Sequence, residues 1–424
     1  MKKNFLIYFL SVLFIVTNVF FISGCTKKAN INEDSFGGKT FPFIYIDVQD
    51  GEKILSKEEY LTCNVNITNT DTEYVFQDIK ANIKGRGNSS WNMPKKSYKL
   101  KFDSKVDLFG FGKAKKWTLI ANYCDKSLSR NLLAYELART IGLQETTCAQ
   151  PVNLIVNGDY YGVYLLCEQT EIGKTRVNIE SDLKDIDTGY LIEMDGRAKD
   201  EGILGVDYFQ VDGKNYVIKD PETDDEDFSE EHFEFIKSYM EECYQAIKGN
   251  DYEKIEGLID VESFAKCYII HEMFNCVDVG FASFYFYKKS GDKLFAGPVW
   301  DFDISSGNCD YAKNSNDTNY LYAKNNNVWY NELLKFNEFQ SLVKRYIKEY
   351  KDPINEKIDE VITKQLEYKE NNSANFEVWN ILYKYVWPNS KEIVNIKTFE
   401  GQLEYLKNWV GQKFSYMEEY YCSK

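Results

Sequence analysis

Apolar and polar residues alternate in short runs through the first half of the chain, and apolar residues recur at helical spacing through the second. Phe43 to Val48 is rich in side chains that favour strands, and Thr62 to Ile67 alternates. In the next run Ile79, Ala81 and Ile83 face one way and Lys80, Asn82 and Lys84 the other, which predicts a half-buried strand. Gly85-Arg86-Gly87-Asn88-Ser89-Ser90-Trp91 breaks the pattern, and alternation resumes from Pro94 to Phe102, so a glycine hairpin joins two strands. Trp117 to Asn122 reads as a strand and Ser127 to Arg139 as a helix. In that helix Leu128, Leu132 and Tyr135 share a face, Asp125 or Ser127 serves as cap, and Gly142 stands just past the end. Residues 151–168 form a hairpin around Asn157-Gly158-Asp159. Further strands follow at 189–195 and 216–219.

The character changes after Asp220-Pro221. An acidic stretch, 222–231, leads into a helix at 232–247 whose stripe is Phe233, Ile236, Met240, Cys243 and Ile247. A second helix, 261–275, carries Asp260 as its cap. Residues 284–288 and 294–300 pair around Ser290-Gly291-Asp292, and from about 328 the pattern is helical to the end, with no internal repeat. The expected class is α+β, with a β-rich half at 40–221 and a mostly helical half at 222–424.

The first residues alter the picture of where this fold works. Lys2 and Lys3 precede an apolar run from Phe5 to Ile22 that ends in Ile22-Ser23-Gly24-Cys25. A basic head, an apolar stretch and small residues before a cysteine predict a lipoprotein signal peptide at 1–24, with Cys25 acylated and 25–39 as a polar tether. An uncleaved membrane anchor is the other reading of the run. Either places the rest of the chain outside the cytoplasmic membrane, on its outer face. With 66 acidic against 51 basic residues the net charge is −15, which speaks against nucleic acid as a partner and for attraction to basic ones. Ten cysteines without a CxxC pair, and only two histidines, suit neither a zinc site nor a disulfide framework.

Two stretches carry candidate chemistry. Asp278 follows the 261–275 helix, and Asp301 and Asp303 follow the second strand of the 284–300 hairpin, which returns the chain to the side it left. Three acids at such ends can hold Mg²⁺, which prefers oxygen ligands, or can simply cap turns. In the front half Gly85 and Gly87 permit a tight backbone, Asn88, Ser89 and Ser90 offer short donors, and Arg86, Lys95 and Lys96 offer charge. That hairpin reads as a phosphate cradle or as a plain polar turn.

Five co-linear blocks within residues 40–310 resemble the CotH kinase family, associated with bacterial spore coats. They are RGNSSW…PKKSYKLKF, WTLIANYCDKSLSRNLLAYELAR (117–139), YYGVYLLCEQTEIGKTRVNI (160–179), GYLIEMD (189–195) and GPVWDFDISSGN (297–308). The C-terminal hundred residues carry no such block. The resemblance implies a diverged, two-lobed protein-kinase-like fold that transfers phosphate from ATP, with Mg²⁺ or Mn²⁺, to Ser or Thr of a protein. It implies Asp278 as the catalytic-loop aspartate and Asp301 as the metal-binding aspartate of a triplet that here reads Asp-Phe-Asp. Ser283 stands where other kinases place a metal-binding Asn, and Asp303 could compensate. The glycine hairpin, through Arg86, Gly87, Asn88 and Ser89, would cover the phosphates. Lys96 is the preferred phosphate lysine, because alternation sets it on the inward face with Tyr98, Leu100 and Phe102; Lys99 is its rival on the face expected to meet solvent. Glu136 would pair with a lysine, Arg130 and Asn131 would serve phosphate or the fold, and Glu168 would line the cleft. Two other readings stay open: a pseudokinase that binds without turnover, and a structural component of spore or envelope assembly.

Overall fold

The computed structural model describes residues 31–423, so Cys25 and the signal segment lie outside the described residues. Seven strands close into a barrel: β1 (Phe43–Val48), β2 (Leu61–Thr68), β3 (Phe76–Arg86), β4 (Ser97–Asp107), β5 (Lys113–Ile120), β6 (Ala149–Val156) and β7 (Asp159–Glu168). The order is β1-β2-β3-β4-β5-β7-β6, and a parallel pairing of β1 with β6 closes the ring. The alternating residues fill its interior, among them Ile46, Val65, Ile83, Leu100, Trp117, Leu154 and Leu166. A closed barrel removes exposed edges and buries one residue in two, which is why alternation reads so clearly here. Alternation alone does not announce closure, since an open sheet needs the same pattern.

One helix, α1 (Arg130–Thr140), leaves the barrel between β5 and β6. A second sheet then forms, in the order β12-β11-β8-β10-β9. Its strands are β8 (Tyr190–Met194), β9 (Tyr208–Val211), β10 (Lys214–Asp220), β11 (Phe284–Lys288) and β12 (Leu294–Val299). The boundary expected near residue 222 therefore falls inside this sheet: β8 pairs directly with β11, Phe284 opposite Met194. The composition shift at 222 marks where the long helices begin, while the two sheets are separated along the chain by the connection 169–189, between the last barrel strand and β8. Around the sheet lie α2 (Ala198–Glu201), α3 (Glu230–Lys248), α4 (Tyr252–Leu258) and α5 (Val261–Phe274). The chain ends in α6 (Tyr322–Asn326), α7 (Val328–Leu333), α8 (Asn337–Glu349), α9 (Lys351–Glu367), α10 (Lys369–Val378), α11 (Lys391–Asn395) and α12 (Phe399–Cys422). The β-rich front and helical back are as expected. Among the described residues no helix is long and apolar enough to cross a membrane, and all nine cysteines are free.

The outside of the barrel is partly covered. Asn371 of α10 accepts hydrogen bonds from the Phe41 amide (3.0 Å) and the Asn153 side chain (2.7 Å). One turn on, Asn375 accepts from Lys95 Nζ (2.9 Å) and the Val163 amide (3.1 Å). Gly162, at φ +93°, makes room, because a Cβ there would run into the Asn375 carboxamide. Lys95, expected to face solvent, is buried for this reason, and Ser97, expected to do the same, is buried where its hydroxyl accepts from the Ala121 amide (3.0 Å).

Candidate active site

The acids are positioned by two turns that are stitched together. Helix α5 ends at Asn275, whose left-handed backbone (φ 44°) turns the chain into the short 3-10 segment Val277–Gly280 that carries Asp278. The Asn275 amide donates to the Ser315 and Asp317 carbonyls (3.1 and 3.0 Å), which fixes that turn. Strand β12 delivers Trp300 and then Asp301, itself left-handed at φ 67°. Backbone bonds from Val277 to Ile304 (3.2 Å) and from Ser306 to Phe274 (2.7 Å) join the two loops. Ser283 Oγ donates to Asp301 Oδ2 at 3.4 Å, and Cys124 Sγ approaches Asp303 Oδ2 at 3.4 Å.

The N-terminal turn of α1 holds this loop from the other side. Asn131 Oδ1 accepts from the Phe302 amide (2.7 Å). Arg130 Nε and Nη2 donate to the carbonyls of Ser305 (3.1 Å) and Ser306 (3.2 Å), and its guanidinium pairs with Asp125. Asp125 Oδ2 in turn accepts from the Arg130 amide (2.9 Å). Phe302 is buried beneath His271, stacked at 5.6 Å, so the acids on either side of it are aimed by a fixed backbone.

The acids crowd one another. Burial and the neighbouring Asp301 push the Asp278 carboxyl up to about 6, against the pull of Arg197. Burial first, then Asp301, push Asp303 well above the carboxylate range. Carboxyl groups desolvated side by side repel one another, and a hard cation relieves that repulsion. Among the described residues no group of three or more His, Cys, Asp or Glu is arranged to hold a metal by itself. Two carboxylates and a hydroxyl suit a cation whose remaining ligands come from phosphate oxygens.

The barrel meets this cluster through the end of β3. The Arg86 guanidinium lies 5.7 Å over the ring of Trp300, the residue before Asp301. Arg86 and Lys84 pair across the ladder with Ser97 and Lys99. Burial, then Lys116, Lys84 and Arg86, lower the Lys99 ammonium to about 8, countered by Glu171. Lys84, Arg86 and Lys99 thus form a row of cations on the outer barrel face, with Arg86 the member that reaches Trp300.

Several expected site residues stand elsewhere. Lys96 does point inward, but inward means the mouth of the barrel: its ammonium bonds to the Trp91 carbonyl, lies over the Trp91 ring (5.0 Å) and lines a cavity with Tyr98, Tyr160, Tyr161 and Trp379. Lys99 lies on the outer face with Lys84 and Arg86, where Lys116 and Glu171 also act on it. Arg130 is enclosed by Asp125 and the 305–306 carbonyls, so it braces the loop and has no side left for a nucleotide. Glu168 is buried in a pair with Arg176 (2.5 Å), accepts from the Cys148 amide (2.7 Å) and lines a small cavity with Pro298 of β12. Glu136 pairs with Arg139 (2.6 Å), one turn along its own helix, and not with a lysine. In the hairpin, Gly85 is pressed by the Trp91 ring, Gly87 (φ +99°) by the Ser90 hydroxyl, and Asn88 and Ser89 stand exposed at the tip. Packing accounts for both glycines. The structure brings together Asp278, Asp301, Ser283 and Asp303, with Arg86 reaching Trp300 beside them. Sequence reasoning missed Cys124 and Arg197; neither belongs to a motif, and only folding sets them beside the acids.

Crowded acids with the Arg86 guanidinium close by are the kind of groups that a phosphate and a hard cation would need. The family model of the CotH kinase proteins matches residues 83–417, most of the chain. This protein belongs to the CotH kinase family, and membership points to a protein-kinase-like function. The match begins within β3, after β1 and β2, and runs on through the C-terminal helices where no block was recognised. No curated protein matches the chain.

Proposed function

We propose that this protein is an exported kinase that transfers the γ-phosphoryl group of ATP to Ser or Thr hydroxyls of proteins, held at the outer face of the cytoplasmic membrane by acylated Cys25. The carrying observation is the Asp278–Asp301–Ser283 cluster, with Asp278 lifted to about 6 and Arg86 poised over the adjoining Trp300. In this reading the barrel serves as the nucleotide lobe of a kinase-like pair and the second sheet with its helices as the substrate lobe. The acceptor hydroxyl oxygen bonds to the γ-phosphorus, the bond from that phosphorus to the β–γ bridging oxygen breaks, ADP leaves, and Asp278 takes the hydroxyl proton. A carboxyl poised near neutrality suits that task, since it can accept the proton and return it to water. Asp301, Asp303 and Ser283 would hold Mg²⁺ or Mn²⁺. That ion, when bound, neutralises phosphate charge. Arg86 and Lys99 add positive charge from the barrel side. The acidic surface favours basic Ser- or Thr-rich targets, which include coat or envelope proteins if the chain works on spores.

Ser283 supports a second reading. A hydroxyl at 3.4 Å from Asp301 is a weaker metal partner than a carboxamide oxygen, which fits a protein that binds nucleotide or surface without turnover. Incubating the mature chain with labelled ATP, Mg²⁺ or Mn²⁺ and a basic Ser/Thr-rich protein separates the two. Transfer that falls about a hundredfold or more in Asp278→Ala and Asp301→Ala supports the kinase. Absence of transfer by the wild type, alongside intact nucleotide binding, supports the second reading.

A further inference from the structure

Two loops next to the acids expose more aromatic surface than folding requires. Tyr311 and Trp387 are 53% and 44% exposed, and Tyr383 and Tyr385 are 54% and 56% exposed. Tyr311 and Trp387 stack with ring centroids 5.8 Å apart and planes within 3°. Beside them Tyr385 donates to Asp310 Oδ2 at 2.6 Å. This patch is built, since its backbone is tied down from beneath. Asn389 donates to the Cys124 carbonyl (2.7 Å) and to Asn308 (2.7 Å), and Lys126 Nζ to the Lys384 carbonyl (2.6 Å). Cys309 and Ala312, flanking Tyr311, pack on Val277 and Ile304, the neighbours of Asp278 and Asp303. Asp278 and Asp303 are among the charges that act on the Tyr311 hydroxyl, so the patch lies within electrostatic reach of the candidate catalytic acids.

We propose that the Tyr311–Trp387 stack is the docking platform for the polypeptide that presents the acceptor hydroxyl, and that it grips an arginine or lysine flanking that residue. The inference rests on the kinase reading and adds where the substrate is held. Charge selects the occupant. Electron-rich ring faces attract a cation, the guanidinium plane of arginine stacks on them, and Asp310 and the nearby acids add attraction of the same sign. A purely apolar occupant would gain from the rings but nothing from the charge of those carboxylates. Exposed aromatic patches of this kind mark interaction sites on otherwise polar surfaces. The platform joins the 306–312 loop to the 380–388 loop, so the C-terminal region contributes directly to the site.

The test uses two synthetic peptides that differ only in flanking residues, an Arg-Ser repeat and its citrulline-Ser twin. Binding of the fluorescent peptides is read by anisotropy, independently of turnover, and transfer is read with ATP and Mg²⁺. Wild type should bind the arginine peptide about tenfold more tightly than its twin, and the Tyr311→Ala/Trp387→Ala variant should lose that preference. The variant with phenylalanine at both positions should keep most of it, and nucleotide affinity should be unchanged in both variants. A preference that survives in the alanine variant, or a wild type that does not discriminate, overturns the platform. If peptide discrimination behaves as expected but the wild type transfers no phosphate, the platform stands and the catalytic reading falls.

Discussion

Asp303 shows what this site costs at the scale of single residues. Burial and three neighbouring acids, Asp301, Asp278 and Asp125, oppose its ionisation, and the Cys124 thiol is a weak donor. Asp303→Asn keeps the shape and removes the repulsion, so the variant should be more stable by about 1 kcal/mol while losing metal-dependent transfer. Denaturant midpoints set beside the transfer assay check both signs. Arg130 should respond in the opposite sense. Arg130→Ala leaves Asp125 buried without its cation and frees two carbonyls, at a cost of about 3–5 kcal/mol, and activity should fall only because the 301–306 loop loosens. His271 sets a pH limit. Burial against Phe302 and Phe284 holds the imidazole down to about 3, below its ordinary 6.5. The unfolded chain takes up a proton as pH falls through the upper value, and the folded chain does not. Its contribution is therefore complete above that value and is lost on acidification by roughly 1.4 kcal/mol per pH unit. The stability difference between wild type and His271→Gln should shrink between about pH 7 and about pH 5, and a constant difference would show that the ring titrates alike in the folded and the unfolded chain.

At the scale of elements, the β3–β4 hairpin separates two lysines three residues apart by putting them on opposite faces. Lys96 sits at the barrel mouth against Trp91, and Lys99 stands in the row with Lys84 and Arg86. Lys99→Ala should raise the KM for ATP about tenfold, and Lys96→Ala should leave it within about twofold. Equal effects of both would place the phosphates over the hairpin tip instead. The alternation of β4 was legible in the sequence, and so was the inward set of Tyr98, Leu100 and Phe102. What was not legible is which side of a strand faces the site. In a closed barrel the apolar side faces the barrel's own core, so the cleft belongs to the polar side, and the inference from apolar neighbours to the cleft fails. Helix α1 gives the converse case. Its core face was readable from Leu132 and Tyr135, but its N-terminal Arg130 and Asn131 serve a loop about 170 positions away, and no local pattern records that.

Across the whole molecule, α10 fastens the helical half to the barrel through Asn371 and Asn375. Lys95, held far below its ordinary range by burial, depends on the Asn375 carboxamide and the Val163 carbonyl. Asn375→Ala should destabilise the protein by about 2–3 kcal/mol, and Gly162→Ala, at a positive φ and against the same carboxamide, by a comparable amount. Both should lower a single unfolding transition, because the barrel and the helices share this contact; two separated transitions would show that the halves fold independently. The sequence alone determined the elements, their α+β order, the acids and the family resemblance, because these are written in local periodicity and in short co-linear motifs. Only the tertiary structure decided that the barrel closes, that Arg86 reaches Trp300 while Lys96 turns to the barrel mouth, and that Arg130 and Glu168 are spent in buried pairs. Those outcomes depend on which distant segments come to lie against each strand and helix, and residues packed together from opposite ends of a chain leave no trace in its spacing.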